Sequence, residues 1–347
     1  MTSVMTSYFC NLARDKYTGI IAGFLKFILL ILSFVYWLIV KSLVLFYRIK
    51  PYRPQCRVIG IGNITVGGTG KTTIVEFAAR SLRQDGYKVA IVSRGYKRKK
   101  GKGAGCDPDY ETMGDEPYML HKRLGDVAVI VDSNRIRAIK RAIKDYAADT
   151  VILDDGFQQW GIKKDSEVVA IDATNPFGNR RLLPRGILRE PLSSLRRADI
   201  LVLTKTNINP DVQGIRDVLA RINPRAIIFE SVHNPLGFYY LGIEEELLNP
   251  DALKGKTVTL VSGIGAPDSF QNLVGGMGVN VGLSFTFPDH YDYKQEDLDR
   301  IFRASKDKNI DTVLTTEKDA ARLSRLRTAD SGLRILVLRI ELKITKK

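Results

Sequence analysis

One run constrains this chain more than any other: Arg57-Val58-Ile59-Gly60-Ile61-Gly62-Asn63-Ile64-Thr65-Val66-Gly67-Gly68-Thr69-Gly70-Lys71-Thr72-Thr73. Its apolar start predicts a buried strand. A glycine-rich loop follows, and Ile74 to Leu82 has helix-forming composition. Strand, loop and helix in that order, with Lys-Thr where the helix opens, form the context of a phosphate-binding P-loop. Glycines let backbone N–H groups approach phosphate oxygens with no Cβ in the way, and the helix start turns its positive end toward the same anion. Lys71 is expected to reach the outer phosphates, and the Thr72 hydroxyl to bind Mg²⁺. The nucleotide-gripping stretch is therefore Thr65, Val66, Gly67, Gly68, Thr69, Gly70, Lys71, Thr72 and Thr73. The P-loop consensus asks for glycine five residues before Gly70, where this chain has Thr65.

The chain has 347 residues, room for two domains after an N-terminal appendage. Its net charge of +15 favours anionic partners: nucleic acid, an acidic membrane surface or a phosphorylated substrate. Cys10, Cys56 and Cys106 are scattered and odd in number, which argues against a disulfide framework or a metal cluster and for a reducing compartment.

Phe27 to Val40 carries no charge and is flanked by Lys26 and Lys41. With those lysines snorkelling, the apolar region extends from about Ile20 to Tyr47. No small-residue cleavage site follows, so a signal peptide is disfavoured. Tyr36, Trp37, Tyr47 and the basic residues Lys41, Arg48, Lys50, Arg53 and Arg57 have the character of interfacial anchors. The segment is expected to be a membrane-attached helix, spanning or half-embedded, with the rest of the chain on the cytoplasmic side.

Beyond the P-loop, strand and helix signals alternate. Strands are expected at 88–93, 127–132, 150–156, 168–172 and 200–204, with a helix at 135–146. The core should be a mostly parallel α/β sheet with helices on both faces. The pattern changes near His233-Asn234-Pro235, after which Phe238 to Leu241 reads as a lone strand. A second, smaller α/β unit follows, with strands at 256–262, 279–287, 311–316 and 334–344. The expected division is a membrane helix over 1–50, a P-loop domain over 51–235 and the smaller domain over 236–347. Lys97, Arg98, Lys99, Lys100 and Lys102 lie among glycines and read as an idle solvated loop or a mobile basic lid.

Thr150 to Gly156 is an apolar strand ending in Asp154 and Asp155, where a P-loop protein places its Mg²⁺-binding acid. A kinase also needs a base near the acceptor hydroxyl. Asp115 and Glu116, in a loop bounded by Gly114 and Pro117, are candidates. So is His290, between Asp289 and Tyr291 at a strand end. Arg185 and Arg189, in a loop punctuated by Pro184, Gly186 and Pro191, have the side chains to grip phosphate bidentately.

These residues resemble one family, the membrane-associated tetraacyldisaccharide 4′-kinases. The resemblance rests on the loop 62–72, Ser93-Arg94-Gly95-Tyr96, Gly114-Asp115-Glu116-Pro117 and Leu153-Asp154-Asp155-Gly156-Phe157-Gln158. It continues through Leu183-Pro184-Arg185-Gly186, Leu188-Arg189-Glu190-Pro191, Leu203-Thr204-Lys205, Phe287-Pro288-Asp289-His290-Tyr291 and Thr316-Glu317-Lys318-Asp319. The family's loop likewise lacks the first consensus glycine, and Thr73 stands where many members have proline. The resemblance implies transfer of the ATP γ-phosphate to the 4′-hydroxyl of a tetraacylated disaccharide 1-phosphate, giving lipid IV-A. It also implies two α/β domains joined by a two-stranded ribbon, with Phe238 to Leu241 and part of the last strand as its candidates, at the cytoplasmic face of the bacterial inner membrane. Carried over residue by residue, Asp115 would be the base, helped by His290. Glu116 and Asp155 would support Mg²⁺, with Asp154 and Gln158 nearby. With Asp115 on one domain and His290 on the other, closure would assemble the site.

Three other readings fit less well. A partitioning-type ATPase needs a lysine where Val66 stands. Thr204-Lys205-Thr206-Asn207 lacks the aspartate of a guanine-reading loop. Aromatic residues do not interleave with the basic runs as a nucleic-acid surface would require, so no nucleic-acid partner is expected.

Overall fold

A computed structural model describes residues 12, 15, 17–95, 110–209, 211–327 and 333–347. The basic run 97–102, Tyr96, Cys10 and Cys106 lie outside the described residues. The chain forms two compact units. The first holds residues 1–92, 134–232 and 344–347, and the second holds 93–133 and 233–343. The expected division into consecutive pieces is thus corrected: residues 93–133, placed by sequence with the P-loop, pack with the second unit.

The first unit is built on parallel strands. β1 (Arg57–Asn63) lies between β4 (Thr150–Asp154) and β5 (Ser166–Asp172). β2 (Val89–Ser93) flanks β4, β6 (Ile200–Thr204) flanks β5, and the first part of β7 (Ile227–Tyr240) flanks β6. Six of the seven β1 residues are buried, as expected for a strand covered on both faces. Ile64, Phe157, Val169, Ile171, Leu188, Leu201, Leu203 and Leu219 fill one core beneath the loop that follows β1. Because the strands are parallel, their carboxyl ends gather Asn63, Asp154, Asp172 and Thr204 at one edge, where such sheets bind ligands.

The N-terminal helix α1 (Ile20–Ile49) has 30 residues, about 45 Å of length. It carries a window of mean hydropathy 2.4, of which 11% is buried. One stripe rests on the first unit. The Ser33 hydroxyl donates to the Leu182 carbonyl at 2.9 Å, Tyr36 Oη donates to the Arg189 carbonyl at 2.9 Å, and Val40 is buried. Ile21, Phe24, Phe27, Ile31, Phe34 and Leu38 stay exposed on the other faces.

The second unit has its own parallel strands in the order β10 (Asn280–Thr286), β9 (Thr257–Ser262), β11 (Thr312–Thr316) and β12 (Arg334–Lys346). β8 (Ile243–Leu248) runs antiparallel to β7. Phe238 to Leu241 is not a lone strand: residues 238–240 are the end of β7, which runs without a break through Pro235. β7 and β12 carry the chain between the two units, crossing at 232/233 and 343/344. Val258, Leu260, Phe270, Leu314 and Leu336 form one core of this unit, and Val261, Phe287, Tyr293, Ile301 and Phe302 another.

Candidate active site

The loop after β1 is stapled from several sides. The Asn63 amide donates to the Thr65 carbonyl at 2.7 Å and to Thr69 Oγ1 at 3.1 Å. Thr65 bridges antiparallel to Leu188, Val66 N–H donates to the Ile187 carbonyl at 2.9 Å, and Arg189 N–H donates to the Ile64 carbonyl at 2.7 Å. This pairing explains the missing consensus glycine: Thr65 is in extended, bridged backbone, where a β-branched residue is favoured. Left-handed geometry starts later, at Gly67 (φ 111°) and Gly70 (φ 79°). A Cβ on Gly67 or Gly68 would meet nothing, so that stretch of backbone faces open space. On the strand side, a Cβ on Gly62 would lie 2.6 Å from the Phe157 backbone nitrogen, so only glycine fits there.

Helix α2 (Lys71–Gln84) begins directly after Gly70 with no side-chain cap, leaving its first N–H groups for an anion. Lys71 Nζ lies 3.7 Å from Asp155 Oδ1. Arg189 Nη1 donates to both Asp155 oxygens at 2.9 and 3.0 Å and stands 3.4 Å from Gln158 Oε1. Gln158 Nε2 donates to the Asn63 carbonyl at 3.0 Å and to Glu190 Oε1 at 3.1 Å. The structure therefore brings Lys71, Asp155, Gln158 and Arg189 together around the loop. Thr72 and Asp154 are buried beside them on α2 and β4. Thr73 Oγ1 donates back to the Gly70 carbonyl at 2.8 Å, a helix-start contact.

Arg185 does not join that group. Its Nη2 donates to Asp15 Oδ1 at 2.6 Å and its backbone N–H to Ser33 Oγ at 3.0 Å, so it fastens the loop to the N-terminal helix. Sequence reasoning missed the roles of Thr204 and Lys205. Thr204 Oγ1 donates to the Thr69 carbonyl at 3.0 Å, and Lys205 Nζ donates to the Gly68 carbonyl at 3.2 Å while pairing with Asp172. The available signals were their place at the end of the apolar strand 200–204 and the motif Leu203-Thr204-Lys205.

The second unit holds the other candidates. Helix α4 (Asp115–Leu124) starts after Gly114 (φ 87°), with Asp115 buried at its first position. Asp115 Oδ2 lies 2.7 Å from His290 Nδ1. The expected separation of these two residues onto different lobes is corrected: both belong to the second unit, and the pair is formed within it. The excursion 93–133 is what carries Asp115 there. Burial pushes the Asp115 carboxyl up, but the His290 hydrogen bond and the His290 and Arg322 charges outweigh it and hold it below the usual range. His290 is raised above its ordinary value, first by the hydrogen bond to Asp115, against the opposing pull of burial. Glu116, expected to support Mg²⁺, is paired with Lys318 of helix α9 (Glu317–Leu323). Among the described residues no three His, Cys, Asp or Glu side chains form a ready metal cage.

The comparisons with known proteins agree with this architecture. The family model for LpxK, tetraacyldisaccharide-1-P 4′-kinase, matches residues 25–347. A tetraacyldisaccharide 4′-kinase of Halothermothrix orenii is 36% identical over 99% of this chain and 96% of its own length. One from Elusimicrobium minutum is 40% identical over 72% of this chain and 69% of its own. A crystal structure of LpxK from Aquifex aeolicus, described as the "apo" form in complex with ATP, superposes with a TM-score of 0.71 at 29% identity, covering 92% of this chain and 95% of that one. The chain is an enzyme, a kinase, and it belongs to the tetraacyldisaccharide-1-phosphate 4′-kinase family.

Proposed function

We propose that this kinase transfers the γ-phosphate of ATP, with Mg²⁺, to the 4′-hydroxyl of a tetraacyldisaccharide 1-phosphate, producing lipid IV-A for lipid A. The observation that carries the reading is the union of two features in one unit. A phosphate-binding loop and a 30-residue apolar helix are joined there through Tyr36, Arg189 and Asp155. A nucleotide site tied to the lipid phase suits an acceptor that cannot leave the bilayer.

In this reading the loop 65–73 cradles the phosphates with backbone N–H groups and Lys71, and Arg189 and Gln158 contribute side chains to the same anion. The donor set of Thr72, Asp154 and Asp155 is all hydroxyl and carboxylate oxygen, which fits a hard divalent cation sharing phosphate ligands rather than an all-protein cage. Bound there, Mg²⁺ would neutralise charge on the transferring phosphoryl group. Glu116, paired with Lys318 in the second unit, would lend its carboxylate to Mg²⁺ only on leaving that partner. Asp115 takes the proton of the acceptor hydroxyl, and His290 orients Asp115 and keeps it ionised until the oxygen attacks. Arg185 positions the loop that bears Arg189.

The exposed apolar faces of α1 sit in the cytoplasmic leaflet of the bacterial inner membrane, and the basic surface faces its anionic headgroups. As functional regions, residues 1–50 attach the membrane, the P-loop region within 51–235 grips the nucleotide, and residues 236–347 supply the partner for the base. The test is labelled ATP with the disaccharide 1-phosphate lipid in mixed micelles, beside GTP and DNA controls. Label at the 4′ position from ATP supports the reading. Hydrolysis without label in the lipid contradicts it.

A further inference from the structure

We propose that Arg322 is a positioning residue for phosphoryl transfer, its guanidinium fixing Asp115 and His290 against one another. The inference rests on the reading of that pair as the proton-accepting group. Arg322 is 0% exposed and is among the largest fully buried side chains among the described residues. A guanidinium taken out of water is costly unless its donors are filled. Here they reach into three separate stretches of chain. Nη1 donates to the Tyr291 carbonyl at 3.0 Å, and Nη2 donates to the Gly263 carbonyl at 3.2 Å and to Asp319 Oδ1 at 2.8 Å. Nε donates to the Lys318 carbonyl at 3.3 Å and stands 3.7 Å from Asp115 Oδ2.

The Gly263 peptide is the hinge of this arrangement. Its carbonyl accepts from Arg322 and from the His290 backbone N–H at 3.1 Å. Its own N–H donates to Asp319 Oδ1 at 3.0 Å, and Tyr293 Oη donates to the same oxygen at 2.9 Å. A Cβ on residue 263 would stand 2.9 Å from Tyr293 Oη and 3.1 Å from Asp319 Oδ1, so any side chain there would have to displace the groups that hold Asp319. His290 itself sits at φ 58°, left-handed backbone that a non-glycine residue holds only when its surroundings enforce it. The enforcing bonds are those from the Gly263 carbonyl and the Arg322 clamp on the adjoining Tyr291 carbonyl. Arg322 thus holds the carbonyl that receives the His290 N–H and the carbonyl of the next residue, while presenting its charge to Asp115. The charged groups facing the pair are Arg322 and Lys318 from α9, Glu116 from α4, and Asp289 beside His290.

The test uses full-length enzyme in mixed micelles. The chain has three histidines, so the His290 imidazole signal is assignable by comparison with His290→Gln. Arg322→Lys keeps the charge and loses the planar fork that reaches two carbonyls at once. It is expected to lower kcat by about tenfold or more, with the KM for ATP held within about twofold. It should also bring the His290 titration down toward its ordinary value of 6.5, because the bond to Asp115 is what raises it. Tyr293→Phe removes a single hydrogen bond from Asp319 and keeps the ring that packs beside it. It should move the same two readouts in the same directions by less. Wild-type kcat with an unmoved His290 titration, in folded Arg322→Lys or in Tyr293→Phe, would overturn the inference. The titration is read without turnover, so it stays decisive even if wild-type enzyme fails to phosphorylate the disaccharide lipid. That failure would strike the functional reading instead.

Discussion

Asp155 illustrates how much of this site is decided residue by residue. One carboxylate, itself in left-handed backbone (φ 53°), answers both Lys71 and Arg189. An incoming phosphate would compete with it for the same cations. Lys71→Ala should therefore cost about a hundredfold or more in kcat/KM, the usual scale for losing one preorganised charge on a transferring group, measured with ATP and the lipid acceptor. The Asp115–His290 pair makes a second prediction, with a sign. His290 is raised, so its contribution to stability is complete below its ordinary pKa of 6.5 and is lost as pH rises through the folded-state value. Asp115 is lowered, so its contribution is present above its ordinary 3.8 and is lost as pH falls through the depressed value. Thermal melts across that range should show a plateau between the two limbs, and His290→Gln should remove the alkaline limb. Lys71, Thr72, Asp155, Asp115 and His290 could be singled out as candidates because each sits in a short motif with its own chemistry. Arg322 could not, and Thr204 and Lys205 stood out only as part of the motif Leu203-Thr204-Lys205 with no role attached, since their partners are distant carbonyls, and nothing in the local sequence reveals which backbone oxygen a side chain will meet.

At the scale of elements, α1 and the 182–189 loop behave as one piece. Ser33 Oγ accepts from Arg185 N–H, and Asp15 pairs with both Lys26 and Arg185. Tyr36→Phe deletes the bond to the Arg189 carbonyl, worth about 0.5–1.5 kcal/mol. It should raise the KM for ATP severalfold with kcat nearly unchanged, because Arg189 then loses its fixed approach to Asp155. Ile31 and Leu38 lie two turns apart on the exposed apolar face. Changing both to glutamate places charges where a helix at bilayer depth tolerates each only at about 2.5–3.5 kcal/mol. The double variant should leave the membrane fraction on sedimentation, while the wild type stays with it. The apolar run was plain in the sequence, as was the helix Arg135–Tyr146 with its periodic isoleucines and alanines. β8 was missed because Glu244-Glu245-Glu246 is poor in strand formers, and only antiparallel pairing to β7 makes it a strand. Helix α9 was passed over too, although Thr316 and Asp319 bond to one another across its first turn, a spacing that signals a helix start.

At the scale of the whole molecule, the chain passes back and forth between two compact units. The sequence shows two α/β blocks, but not that residues 93–133 leave the first for the second. Asp115 and His290 are 175 positions apart, and no local pattern reports a contact of that span. The central claim is that the first unit grips the triphosphate and the second supplies the base. The direct measurement compares ATP affinity with phosphoryl transfer in Asp115→Asn and Lys71→Ala. The account predicts that Asp115→Asn binds ATP within about twofold of wild type yet loses kcat by about 10²–10⁴, while Lys71→Ala loses affinity and transfer together. Asp115→Asn with weakened ATP binding and normal turnover at saturating ATP would contradict it.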